Sequence, residues 1–275
     1  MRQAKLVVMV LAVVGILCPW TNVYPAGDAK NVSPVLDRIA SKKEVVVGTA
    51  ANMPPLNMLT KGGRIIGIEP DIAEVLARGM DAKLTWKQMN FDDLIPALLS
   101  GKVDMVLSNV TMTPARNIKV AFVGPYFHSG KSILVKTANM LSLDSMAKLN
   151  SPTNVLVALK GSTSQLFVEK LIPDAKLVLA EDYDQAVAMV RNDKAQAMIA
   201  DLPICQVSVL RYPEAKLVTL DKPFSYEPIG VALPPGDPLL VNMVDNTLRL
   251  MEKTGDIENL VQKWLKETSW VSELK

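Results

Sequence analysis

The chain has 275 residues, of which 49% are hydrophobic and 21% charged, and its formal net charge is +2. A chain of this length and composition can bury a sizeable core, which excludes a disordered or fibrous protein and fits two modest domains better than one. The small net charge gives no electrostatic reason to expect a nucleic acid or an anionic membrane as partner.

Residues 1–26 have the layout of a secretory signal peptide. Arg2 and Lys5 precede an apolar run at 6–17 that is too short to span a bilayer. We therefore expect export to the periplasm with this segment removed, which lowers the net charge to zero. A lipid anchor at Cys18 is disfavoured, because the small residues expected before a lipidated cysteine are missing.

From residue 44 onward, short β-branched runs alternate with segments of helical spacing, which indicates βαβ units and a mainly parallel sheet. The first part of the chain predicts strands at 45–49, 64–68, 84–87 and 103–107, with a hairpin turn at 62–63, and helices at 71–78 and 91–99. A second set of units predicts strands at 133–136, 155–159, 176–179 and 197–200 and helices at 164–171 and 183–192. An extended apolar segment then leads to helices; the segment is 223–233 and the helices are 238–253 and 257–265.

Helices that follow a returning strand most simply complete the unit begun earlier in the chain. We therefore predict a two-lobed α/β fold, in which each lobe is a mainly parallel sheet flanked by helices. Lobe 1 is discontinuous, and the predicted bounds are 44–134 plus 226–275 for lobe 1 and 135–225 for lobe 2. Two strands, near 132–136 and 226–232, join the lobes as a hinge.

The segment 108–116 predicts a receptor for a carboxylate. It follows the strand at 103–107, and ligands of open α/β sheets bind at the carboxyl ends of strands. Thr113-Pro114 predicts a helix start with free N–H groups, and Arg116 in its first turn carries a planar fork that matches a carboxylate. For this segment taken alone, the alternative is an ordinary helix start with a solvated arginine.

Further motifs follow one another in a characteristic order between about residues 45 and 265. They are Gly67-Ile68-Glu69-Pro70-Asp71, Leu94-Ile95-Pro96-Ala97-Leu98, Thr111-Met112-Thr113-Pro114-Ala115-Arg116, Lys160-Gly161-Ser162-Thr163, Ala200-Asp201 and Pro228-Ile229-Gly230. In these motifs the chain resembles bacterial solute-binding protein family 3, the extracytoplasmic polar amino-acid receptors of ABC importers. The resemblance implies a type 2 periplasmic-binding-protein fold that captures an amino acid or similar small carboxylate between its lobes. It implies no catalytic residue, cofactor, metal or nucleic acid, a monomer, and ABC transporter membrane subunits as partners.

The resemblance also implies roles for particular residues. Arg116 would pair with the α-carboxylate of the ligand, assisted by Thr111 and by Ser162 and Thr163 at a second helix start. For Thr163, helix capping is an alternative role that can coexist with ligand binding.

The ligand α-ammonium would be held at a different strand end. The resemblance assigns it to Asp201, with Asn109 and Thr111 as neighbours. The alternative for Asp201 is an N-cap of the helix that follows it.

Departures from the family pattern bear on the ligand side chain. Met53 and Leu56 replace aromatic residues that stack on the ligand in many relatives, and Ala50 replaces the acidic residue of relatives for basic amino acids. A cationic side chain would therefore lack a partner, so we expect a ligand that is not lysine, arginine or histidine. Phe91 would supply the remaining aromatic wall.

Other chemistries leave weaker signals. His128 is the only histidine, which excludes a His-rich metal site, and Cys205, the only cysteine beyond the predicted signal peptide, reads as a small core residue. Glu227 lies near the presumed entrance of the crevice, and some relatives on this fold are dehydratases of the cyclohexadienyl type that use such a carboxyl group as an acid. This enzyme remains an alternative, although no partner base is apparent. A ligand-sensing module for a membrane receptor is the other alternative.

Overall fold

The computed structural model of this chain describes residues 32–143 and 145–275. The predicted signal peptide and the prediction for Cys18 lie outside the described residues. The strands are β1 (Glu44–Thr49), β2 (Asn52–Met53), β3 (Asn57–Leu59), β4 (Ile65–Ile66), β5 (Lys83–Gln88), β6 (Met105–Val106), β7 (Ala121–Ser129), β8 (Lys131–Lys136), β9 (Val155–Leu159), β10 (Lys176–Ala180), β11 (Ala197–Asp201), β12 (Leu217–Thr219) and β13 (Glu227–Leu233). The α-helices are α1 (Pro34–Lys42), α2 (Ile68–Gly79), α3 (Leu94–Leu99), α4 (Pro114–Asn117), α5 (Met146–Leu149), α6 (Thr163–Leu171), α7 (Tyr183–Arg191), α8 (Leu202–Arg211), α9 (Pro238–Lys253) and α10 (Asp256–Lys266).

Two five-stranded mixed sheets organise the molecule. The first has the order β5-β1-β6-β13-β7, in which β1 runs parallel to β5 and β6 while β13 is antiparallel to β6 and β7. The second has the order β10-β9-β11-β8-β12, in which β9 runs parallel to β10 and β11 while β8 is antiparallel to β11 and β12. We call the first sheet with its packed helices lobe 1 and the second sheet with its helices lobe 2.

Two short connections join the sheets. Strand β7 ends in the first sheet, and after the single residue Gly130 strand β8 begins in the second. The return runs through residues 220–226, between β12 and β13. The two connections touch, because a Cβ atom at Gly130 would lie 2.0 Å from the carbonyl oxygen of Ser225. The predicted hinge strands therefore belong each to one sheet, and the chain crosses between the sheets at residue 130 and at 220–226 instead.

Three clusters of buried apolar side chains form the core. One packs the first sheet against the C-terminal helices and includes Ile72, Val231 and Leu240. Another lies within lobe 2. The remaining cluster contains Phe91 of lobe 1 together with Leu159 of lobe 2, and it therefore continues from one lobe into the other.

Most predicted elements are present, including the hairpin β3–β4 and both C-terminal helices. The exceptions are strands β4 and β6, which are shorter than predicted, and five elements that the sequence patterns did not reveal, α1, β2, β7, α5 and β12. Strand β7 contains Gly124 and Pro125, which argue against a central strand, and it forms the edge of its sheet, where proline is tolerated. Among the helices of the described residues, none combines the length and apolar character needed to cross a bilayer.

Candidate functional site

The carboxyl ends of the strands of the two sheets meet at one place. Asn109 and Thr111 follow β6 in lobe 1, while Asp201 ends β11 and Thr163 follows β9 in lobe 2. The Nδ2 atom of Asn109 donates to Asp201 Oδ2 at 2.5 Å, and the hydroxyl oxygens of Thr111 and Thr163 are 3.3 Å apart. The structure thus brings these four predicted residues together across the two lobes.

Arg116 also spans the boundary between the lobes. Its Nη1 donates to the Thr111 carbonyl and its Nη2 to the Gly161 carbonyl, each at 3.1 Å. The Thr113 hydroxyl caps this short helix by accepting from the Arg116 amide at 3.3 Å, as the sequence predicts. Arg116 is therefore held by its own segment on one side and by the loop before α6 on the other.

Burial and neighbouring charges shift the pKa of Arg116 in opposite directions. Burial lowers the pKa of its guanidinium, while the carboxylates of Glu227 and Asp201 raise it. An arginine remains protonated at neutral pH under such a shift, so a cationic fork stays available. The carbon of the guanidinium lies 5.5 Å from the centroid of the Phe91 ring, and both residues line a cavity of about 270 Å³.

At the helix start after Gly161, the neighbouring residues Ser162 and Thr163 have different roles. Ser162 is the N-cap of α6, because its Oγ accepts from the Gln165 amide at 3.2 Å, and the same hydroxyl donates to the Leu159 carbonyl at 2.6 Å. The capping role proposed for Thr163 is therefore taken by its neighbour. The Thr163 hydroxyl is directed to Thr111 instead.

Asp201 has a partner that sequence reasoning missed. Its Oδ1 accepts from Lys131 Nζ at 2.5 Å, and this ammonium lies 3.6 Å from Glu227 Oε2. Lys131 is only 1% exposed. Asp201 occupies the N-cap position of α8, as that alternative predicts, but its side chain makes no capping hydrogen bond. The available signal was a lysine at the head of the apolar strand β8.

A buried carboxylate supports Asn109 from behind. Asn109 has a left-handed backbone, with φ of 52°, and its amide donates to Glu69 Oε1 at 2.6 Å. The Tyr126 hydroxyl donates to the same oxygen, and Asn57 Nδ2 donates to Oε2 at 2.5 Å. Burial raises the pKa of Glu69, and the three hydrogen bonds act in the opposite direction. Glu69 therefore fixes the loop that carries the site.

The rim of the site carries charged contacts between the lobes. Lys160 Nζ lies 3.0 Å from Asp92 Oδ2 and 3.3 Å from Glu181 Oε1, and Asn90 Nδ2 donates to Glu181 Oε2 at 3.1 Å. The remaining predicted residue, Met53, is buried in the cluster that the lobes share.

His128 lies outside this group of site residues, and Cys205 lacks reactivity. His128 stacks on Tyr226, with ring centroids 5.2 Å apart. Cys205 is buried, and burial is the main cause that raises the pKa of its thiol to about 12. Within the described part of the chain, no group of three or more histidine, cysteine or acidic side chains could hold a metal ion.

Comparison with known proteins shows which family this chain resembles. Residues 45–267 match the family model described as bacterial extracellular solute-binding proteins, family 3. The ABC transporter glutamine-binding protein GlnH of Bacillus subtilis (strain 168) is 30% identical over 208 residues, which cover 74% of this chain and 74% of that protein. ABC transporter arginine-binding protein 1 of Escherichia coli (strain K12) is 24% identical over 229 residues, which cover 82% of this chain and 92% of that protein.

A solved structure shows the same fold. The ancestral amino acid-binding protein AncCDT-1, a precursor of cyclohexadienyl dehydratase, is 35% identical and superposes with a TM-score of 0.77, covering 84% of this chain and 99% of that one. The predicted two-lobed α/β fold of the type 2 periplasmic-binding-protein class is confirmed. The chain belongs to the bacterial extracellular solute-binding proteins of family 3.

Proposed function

We propose that this protein captures a small carboxylate, an amino acid or a similar acid, between its two lobes and delivers it to an ABC importer. The single observation that carries the proposal is the position of Arg116, which reaches from lobe 1 to the Gly161 carbonyl of lobe 2 beside the Thr111–Thr163 contact. A carboxylate bound to this fork would contact both lobes at once. Ligand binding would then favour the closed arrangement.

The chemistry of the clamp follows from its donors. A guanidinium has five N–H groups, and two of those of Arg116 donate to carbonyl oxygens. The others remain for a ligand carboxylate, with the hydroxyl groups of Thr111 and Thr163 next to them. A micromolar affinity corresponds to about 8 kcal/mol, of which such a charged contact supplies a large part.

We propose further that the ligand does not carry a cationic side chain. The arginine-binding relative gives this proposal no support, since its name shows that the family accepts cationic ligands. The support comes from this chain: Ala50 offers no charge near the strand end, and the buried acids Asp201 and Glu227 already have the ammonium of Lys131 beside them.

We also propose that residues 1–26 direct export to the periplasm and that the protein acts there as a monomer with the membrane subunits of the importer. The family description as extracellular supports the compartment. The names of the two ABC transporter relatives support the importer.

A substitution at the clamp tests the binding function. Thermal-shift screening against amino acids and small carboxylates first identifies a ligand, because a ligand that binds only the folded state raises the melting temperature. Calorimetry with that ligand should then show that Arg116→Ala binds about tenfold to several thousandfold more weakly, the usual loss when one partner of a buried charge pair is removed. The control is Arg78→Ala, which removes an exposed arginine paired with Glu74 on α2. Unchanged affinity of a folded Arg116→Ala variant would remove the clamp from the proposal.

The dehydratase alternative has one observation in its favour, the Lys131 ammonium beside Glu227, and the AncCDT-1 relative is named as a precursor of such an enzyme. The glutamine- and arginine-binding relatives are named as binding proteins. Incubation with prephenate or arogenate followed by product analysis decides between the two. Turnover that disappears in Glu227→Gln would establish the enzyme.

A further inference from the structure

The ammonium of Lys131 lies where a ligand ammonium was expected. Lys131 is buried, and a buried ammonium is costly unless charged or polar groups pair with it. Its Nζ donates to Asp201 Oδ1 at 2.5 Å, and Glu227 Oε2 lies 3.6 Å away. The chain therefore supplies its own cation to the carboxylate that the family resemblance assigned to the ligand.

Both oxygens of Asp201 already accept hydrogen bonds from the protein. Oδ1 accepts from Lys131, and Oδ2 accepts from Asn109 Nδ2 at 2.5 Å. An α-ammonium brought to Asp201 would have to share this carboxylate with the Lys131 ammonium. Two ammonium groups bound to one carboxylate inside a buried site would repel each other strongly.

Hydrogen bonds of its backbone amide and carbonyl hold Lys131 in this place. Its amide donates to the Ser225 hydroxyl at 3.0 Å, and this hydroxyl donates to Glu227 Oε1 at 3.2 Å. Its carbonyl accepts from the Phe224 amide at 2.6 Å. Lys131 is thus fixed where the two connections between the lobes touch, and its position is built into the fold.

The unused hydrogen-bonding groups at this place include a donor, Lys131 Nζ, beside an acceptor, Asn109 Oδ1, which has no partner among the described residues. An ammonium has three N–H groups, and the single hydrogen bond of Lys131 Nζ to Asp201 leaves others free to donate. An oxo or hydroxyl oxygen next to a carboxylate carbon can accept from such a donor. An α-ammonium, which has no acceptor, cannot.

We propose that Lys131 fills the ammonium subsite and that the ligand is a small carboxylate without an α-ammonium group, a 2-oxo or 2-hydroxy acid. The inference rests on the proposed function, because it assumes that the ligand carboxylate binds at Arg116. The α-oxygen of the ligand then accepts from Lys131, and Asp201 acts as the partner of Lys131 without contacting the ligand.

Matched ligands test the inference on the unaltered protein. Calorimetry compares L-leucine, L-phenylalanine and L-glutamate with the 2-oxo and 2-hydroxy acids that carry the same side chains. We expect an oxo or hydroxy acid in at least one set to bind at least about tenfold more tightly than its amino acid. If, in every set that binds, the amino acid binds as tightly as its partners or more tightly, the inference is overturned and the proposed function stands. Binding of neither class, in these sets and in the wider screen, overturns the proposed function itself.

A substitution then tests whether Lys131 causes the preference for oxo and hydroxy acids over amino acids. Lys131→Met removes the charge with an unbranched side chain that is one atom shorter, so Asp201 regains an oxygen for a ligand ammonium. We expect the ratio of oxo-acid to amino-acid affinity to fall by at least about tenfold. The control is Lys136→Met at the other end of β8, where the lysine pairs with the exposed Asp193. An unchanged ratio in a folded Lys131→Met variant overturns the role of Lys131, and should that variant not fold, the comparison on the unaltered protein still decides the ligand class.

Discussion

Two buried carboxylates in this site have different kinds of partners. Asp201 pairs with the ammonium of Lys131, whereas Glu69 accepts only from the neutral groups of Asn57, Asn109 and Tyr126. Without a cation, the hydrogen bonds offset only part of the cost of desolvating a charged carboxylate. The consequence is the raised pKa of Glu69, with burial as its largest cause.

The raised pKa of Glu69 predicts a pH dependence of stability. Because the folded-state pKa lies above the unfolded value of 4.5, the contribution of this group is complete below that pH and is lost as the pH rises through the folded-state pKa. Glu69→Gln removes this titration, and Asn57 Oδ1, which has no hydrogen-bond partner among the described residues, can accept from the new amide after a flip. We therefore expect the melting temperature of the wild type, relative to that of the variant, to fall as the pH rises above 4.5.

Thermal unfolding between acid and neutral pH measures this difference. The control is Glu74→Gln, an exposed glutamate on the same helix. A melting-temperature difference for Glu69→Gln that is constant across the pH range would contradict the prediction.

The thiol of Cys205 offers a second prediction for a single residue. Its pKa of about 12 and its burial mean that almost no accessible thiolate exists near neutral pH. We expect Cys205 to resist an aromatic disulfide reagent in the folded protein and to react after denaturation, as followed by peptide mass spectrometry. Rapid labelling without denaturant would show that α8 opens locally.

Among the secondary structure elements, the loop between β9 and α6 approaches the opposite lobe closely. Gly161 has φ of 72°, and a Cβ atom there would lie 2.8 Å from the Cβ of Asp92. The position therefore needs glycine both for its backbone conformation and for the contact between lobes.

Gly161→Ala should weaken ligand binding more than it weakens folding, because its methyl group obstructs the lobes only when they meet. The matched control is Gly63→Ala, where φ is 78° and no heavy atom lies within 4 Å of the added Cβ. Both variants carry a left-handed strain of about 1–2 kcal/mol. Calorimetry and thermal unfolding of the two variants separate the effects, and equal ligand affinities would show that the approach to Asp92 does not limit closure.

For the whole molecule, contacts between the lobes fall into a buried set and an exposed set. The buried set includes Asn109 with Asp201, whereas the exposed set includes Lys160 with Asp92 and Asn90 with Glu181. Exposed ion pairs are screened by solvent and salt and contribute little. Closure should therefore depend on the buried contacts.

This difference predicts that Lys160→Ala keeps a ligand affinity close to that of the wild type, at low and at high salt concentration. Arg116→Ala, at the same boundary between the lobes, should lose affinity as described above. Calorimetry of both variants with one ligand measures the contrast. A loss in Lys160→Ala as large as that in Arg116→Ala would show that the rim controls closure.

Local patterns in the sequence determined much of this structure. Alternating apolar runs predicted the strands and helices of both lobes, because side-chain periodicity depends only on neighbouring residues. The Thr113 cap and the placement of Arg116 followed from a helix start, which is also a local signal.

Only the tertiary structure decided which distant side chains meet. Lys131 and Asp201 are 70 residues apart and pair because β8 and β11 are neighbours in lobe 2. Asn109 and Asp201 are 92 residues apart and meet only where the two lobes touch. No periodicity records such a pairing, since it depends on strand order and on the contact between lobes. The sequence therefore indicated a carboxylate clamp, and the fold revealed that its neighbouring cation comes from the chain itself.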